Sequence, residues 1–213
     1  MTDLSVVTPE TYLNVRLNRV VNSATAISGQ YSSEFMAVNT PYQIEVGISP
    51  GKSFSDNRHA VASNENSMND HSTFTYTPTV QTMFQYMGDV DDIANVGLAS
   101  AGATIGQTTI YVDTTAVTGS PSGNLVKAGS WVQADQYPYQ VAEDVAWTSS
   151  ANVAIPITRQ VLENEADVVK FEFVRPGETV SWVVQFAEFN NYTIQPHDLL
   201  QYTSPSMKFI EVL

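Results

Sequence analysis

Residues 168–189 read Val168-Val169-Lys170-Phe171-Glu172-Phe173-Val174, then Arg175-Pro176-Gly177-Glu178, then Thr179-Val180-Ser181-Trp182-Val183-Val184-Gln185-Phe186-Ala187-Glu188-Phe189. Val180, Trp182, Val184 and Phe186 alternate with Ser181, Val183, Gln185 and Ala187. A period of two is the mark of a strand with one face buried. Pro176 fixes its own φ and Gly177 tolerates a positive one, so Arg175–Glu178 reads as a tight turn. The stretch predicts a hairpin, Val168–Val174 against Thr179–Phe189, and places the chain among β proteins.

The same period recurs on both sides. Leu13, Val15 and Leu17 alternate with Asn14, Arg16 and Asn18 within Tyr12–Val20. Glu34–Val38 is a second candidate strand. Gln43–Ile48 is a third, with Ile44, Val46 and Ile48 on one face before the Pro50-Gly51 turn. Met207–Leu213 is a terminal strand expected to be tied into a sheet. Residues 51–72 are polar and without periodicity, and read as a long exposed loop. Thr79–Gly88 predicts one short helix, because Val80, Met83, Phe84 and Met87 follow i, i+3, i+4, i+7. Asp89, Asp91 and Asp92 follow it as a solvated acidic loop.

Between these parts the composition changes. Residues 98–106 are small and read as a linker. Strand signals then come in quick succession at Thr108–Val112, Gly129–Ala134, Tyr137–Val141 and Asn152–Ile157, separated by Gly- and Ser-rich turns. Short strands at this spacing predict a compact barrel or sandwich. The expected architecture is mainly all-β: a β-sandwich or barrel core of residues 1–97 plus 167–213, with one short helix and an inserted small β-barrel subdomain over 98–166.

Charge bounds the function. The 213 residues carry a formal net charge of −13, and only 15% of them are charged, against about 25% in an average soluble protein. An acidic chain repels phosphate backbones and anionic membranes, so neither specific nucleic-acid binding nor membrane binding is expected. A surface of Ser, Thr, Asn, Gln and Tyr suits broad polar contacts with other proteins. There is no cysteine, which excludes disulfides, thiolate catalysis and cysteine-ligated metals. No secretory leader and no membrane-spanning apolar run are read.

No catalytic pattern stands out. His59 and His71 lie in the 51–72 stretch and His197 in a Pro-His-Asp turn, without metal-ligand spacing. His59, Asp70 and His71 make at best a surface metal site. Asp89-Val90-Asp91-Asp92 lacks the spacing of a calcium loop. Asp135, Glu143, Asp144, Glu163 and Glu165 are available as carboxylates, but nothing singles out a pair for glycoside hydrolysis. Trp131, Tyr137, Tyr139 and Trp147 have the chemistry to stack on sugars, to fill a core, or to form an interface. The expectation is a protein with no enzymatic activity, no cofactor and no resident metal.

One stretch has a familiar order. Thr109-Ile110-Tyr111-Val112-Asp113, Asn124-Leu125-Val126-Lys127-Ala128-Gly129-Ser130-Trp131-Val132-Gln133, Tyr137-Pro138-Tyr139-Gln140-Val141 and Val153-Ala154-Ile155-Pro156-Ile157 together resemble a small β module of tailed-bacteriophage virion proteins. In that module a strand leads into a Leu-Lys-Ala-Gly-Asp turn, and Ser130 stands here where the Asp is usual. The order of the surrounding elements resembles distal-tail and baseplate proteins. The resemblance implies a structural virion protein at the tail tip. It would assemble in the host cytoplasm as a ring of identical chains, commonly six, joining the tail tube to baseplate or fibre proteins, with DNA at most passing through. It leaves open a neck, tail-terminator or capsid-associated place. The sequence also leaves open a carbohydrate-binding accessory protein. Trp131, Tyr137, Tyr139, His59 and His71 are the candidate interface residues, the three aromatics fitting the module core somewhat better than the interface.

Overall fold

The structure is a computed structural model. It describes residues 10–17, 21–25, 31–35, 40–48, 52–53, 58, 62, 65–66, 69–79, 82–100, 102–119, 121–164, 166, 168, 170–188, 192–195, 199–202 and 206–213. In chain order the strands are β1 (Glu10–Leu17), β2 (Val21–Thr25), β3 (Tyr31–Phe35), β4 (Tyr42–Ile48), β5 (Lys52–Ser53) and β6 (Phe74–Tyr76). Next come β7 (Gly97–Leu98), β8 (Thr109–Asp113), β9 (Asn124–Val126), β10 (Trp131–Ala134), β11 (Tyr137–Gln140) and β12 (Val145–Ala146). The last six are β13 (Val153–Pro156), β14 (Phe171–Phe173), β15 (Trp182–Phe186), β16 (Tyr192–Gln195), β17 (Leu199–Tyr202) and β18 (Ser206–Glu211). The pairings are antiparallel throughout, and the fold is all-β.

The largest sheet runs β1-β4-β18-β15-β6. Its inner face follows the alternation of the sequence. Tyr42, Ile44 and Val46 come from β4, Met207 and Phe209 from β18, Trp182 and Val184 from β15, and Phe74 and Tyr76 from β6. Leu13, Val15 and Leu17 of the edge strand β1 are only partly buried against them. A second cluster of buried residues lies among the short sheets β11-β10-β14, β12-β9 and β13-β8-β7. Ile110, Val112, Leu125, Val132, Tyr139 and Ile155 are at its centre.

The two clusters meet at β10, where all four side chains are buried. Strand geometry turns alternate residues to opposite faces. Val132 and Ala134 belong to the small-sheet cluster, whereas Trp131 belongs to that of the large sheet. Gln133, on the same face as Trp131, donates its amide to Ser181 O and accepts from Ser181 N. β10 is therefore a shared wall. The small-sheet cluster also reaches past 98–166 at both ends, taking in Val90, Ile93, Val96 and Phe173.

Several expectations differ from what forms. The Arg175–Glu178 turn is present, with Glu178 N bonded to Arg175 O and Gly177 at φ +90°. It does not close a hairpin. β14 pairs with β10, while β15 pairs with β18 and β6. The turn is a corner that carries the chain from one cluster to the other. The short helix is absent from the described residues of 79–88, where only Thr82–Phe84 makes a 3-10 turn. Phe84 is buried but Met83 and Met87 are exposed. Tertiary hydrogen bonds take the backbone there instead, Tyr86 N to Val174 O and Lys127 N to Met87 O.

Among the described residues of 98–106, several are tied into the fold rather than forming a linker. Ala99 and Ala103 are buried, and Leu98 pairs with Val112. Gly102 N donates to Ala99 O, and Tyr111 N donates to Gly102 O. A Cβ at Gly102 would lie 2.3 Å from Tyr111 O and 2.6 Å from Ala99 O, both backbone atoms. Gly102→Ala is therefore expected to destabilise by about 1–3 kcal/mol, read as a lower thermal midpoint in circular dichroism. In 51–72, Lys52–Ser53 pairs with β17, and Arg58, Ala62, Glu65, Asn66 and Asn69 have helical backbone, so the plain loop reading does not hold there. Among the described residues no helix is long and apolar enough to cross a membrane.

Candidate interaction site

The seam between the clusters is locked by a buried ion pair. Arg159 lies just beyond β13, after the Val141–Ile157 bridge. Glu211 ends β18 on the face it shares with Met207 and Phe209. The side chains are 1% and 0% exposed. Arg159 Nη1 donates to Glu211 Oε2, and Nη2 donates to Glu211 Oε1 at 2.9 Å and to Pro138 O at 2.8 Å. Glu211 Oε2 also accepts from Tyr42 N at 2.9 Å. The guanidinium carbon is 4.5 Å from the Tyr42 ring centre and 4.8 Å from that of Tyr139. A bidentate pair with further hydrogen bonds is the arrangement in which a buried charge is tolerated. Burial pushes the Tyr139 phenol up to about 12, and its oxygen accepts from Leu162 N. Burial likewise raises Tyr42, opposed by Arg159.

Neither charge was singled out in the sequence. A signal existed for Glu211, which falls on the apolar parity of β18 and so calls for a buried cation. Its partner is 52 residues away, beyond any local pattern.

Beside the seam, where β1 ends the large sheet, lies an open groove of about 400 Å³. Val15, Leu17, Met83, Phe84 and Trp131 give it apolar walls, and Arg16, Gln140 and Thr158 line it as well. Its described lining has no carboxylate and no histidine, so it offers a place to bind an apolar group rather than acid–base chemistry.

The candidate residues from the sequence fall in several places. Trp131, Tyr137 and Tyr139 are buried at 5%, 8% and 1% exposure. Trp131 also lines the groove, and its ring packs on Tyr42, Phe84 and Trp182. His71 is exposed, at φ +50°. His59, His197 and Glu165 lie outside the described residues. Among those described, no three metal-ligand side chains gather. Asp135 and Asp144 accept from the backbone amides of Lys170 and Ala128, each at 2.8 Å.

The acidic loop is not simply solvated. Asp89 accepts from Asn124 N and from Lys127 Nζ. Asp92 binds the side chain of Asn95 and both the amide and hydroxyl of Thr118. Asp113 likewise holds Thr115. These bonds lower all three carboxyl pKa values. A pKa that is lower folded than unfolded adds stability above the unfolded value and loses it as pH falls through the folded one. The thermal midpoint is thus expected to begin falling below about pH 4 as these staples protonate, and Asp92→Asn is expected to weaken that acid-limb slope in a pH series.

Ser130, the departure at the module turn, is fully buried. Its Oγ donates to Met87 O and accepts from Met87 N, each at 3.0 Å. A carboxylate could not donate to that carbonyl. Ser130→Ala is expected to cost about 1–3 kcal/mol by leaving Met87 N without its acceptor, Met87 O keeping the amide of Lys127, measurable by urea unfolding.

No protein-family model matches this chain, and no curated protein matches it.

Proposed function

We propose that this protein is a structural, self-associating component of a tailed-phage particle, placed at the tail tip or baseplate. The observation that carries the assembly part is the lock between the clusters. Arg159–Glu211, the shared strand β10 and the aromatic cluster around Trp182 make the small sheets and the large sheet resist relative motion. That is the property of a load-bearing subunit rather than of one with a moving lid. The open groove and β1, the last strand of the large sheet among the described residues, are the surfaces this reading offers to neighbours, since a sheet edge presents unpaired backbone groups. The order of residues 98–162 supplies the phage assignment.

On this reading the subunit transmits force and contacts other tail proteins, with no catalytic residue, cofactor or metal. The buried state of Trp131, Tyr137 and Tyr139 gives no support to sugar stacking by these rings. The test is gold-labelled antibody against the protein, imaged on intact virions of the phage that encodes it. Label at the tail tip is expected. Label at the neck or head would move the protein there, and its absence from purified virions would overturn the proposal.

A further inference from the structure

We draw no further inference here: the strongest candidate, the open groove beside β1 walled by Val15, Leu17, Met83, Phe84 and Trp131, carries none because nothing in the structure shows what covers it.

Discussion

Arg159→Ala is expected to lower stability by about 3–5 kcal/mol, the usual consequence of leaving one half of a buried pair alone. In a chain of this length that corresponds to a fall in thermal midpoint of roughly 6–20 °C. The loss has identifiable parts. Glu211 would keep only the amide of Tyr42 as a donor, Pro138 O would lose its partner, and Tyr42 and Tyr139 would lose the cation between their rings. The control is the joint replacement Arg159→Met with Glu211→Leu. It removes both charges together and fills similar volume, so it is expected to recover much of the loss. Failure of the double variant to improve on the single one would show that the pair's hydrogen bonds, not its charge balance, hold the seam.

The second large effect is Trp182→Ala, expected at about 3–5 kcal/mol. Trp182 is completely buried, with ring centres of Phe84, Trp131 and Tyr42 at 5.4, 6.0 and 6.1 Å. The rings meet edge-on or nearly so, and such rigid neighbours cannot collapse to close the space. Met83→Ala, nearly half exposed on the rim of the same region, is expected to change stability by less than about 0.5 kcal/mol. Chemical denaturation of the two variants separates a cavity from a general sensitivity of the region.

What was legible in the sequence is what period two can encode. The alternations of Leu13–Leu17, Gln43–Ile48 and Val180–Phe186 each name a strand and its buried face, and the structure has strands there with Ile44, Val46, Trp182 and Val184 buried and Leu13, Val15, Leu17 and Phe186 partly so. Alternation does not name the neighbour. Val168–Val174 and Thr179–Phe189 flank an ordinary Pro-Gly turn, yet their strands pair in different sheets, because Phe173 and Trp182 fill different clusters. The helix expectation over 79–88 failed through the same non-local competition. Four apolar residues at helical spacing could not outweigh Phe84 inserting beside Trp131, nor the backbone bonds to Val174 and Lys127. The strand signal at Gly129–Ala134 carried no sign that both faces of β10 are covered, so that Gln133 is a buried polar residue bonded to Ser181. The seam itself was not legible, since Arg159 and Glu211 are joined only by the folded chain.

The central claim is that this chain assembles with itself. The most direct test is its mass in solution by light scattering, across protein concentration and salt. The account predicts one discrete oligomer that persists at high salt, because main-chain bonds and apolar contacts in the groove are little screened. A monomer at every concentration and salt would contradict it.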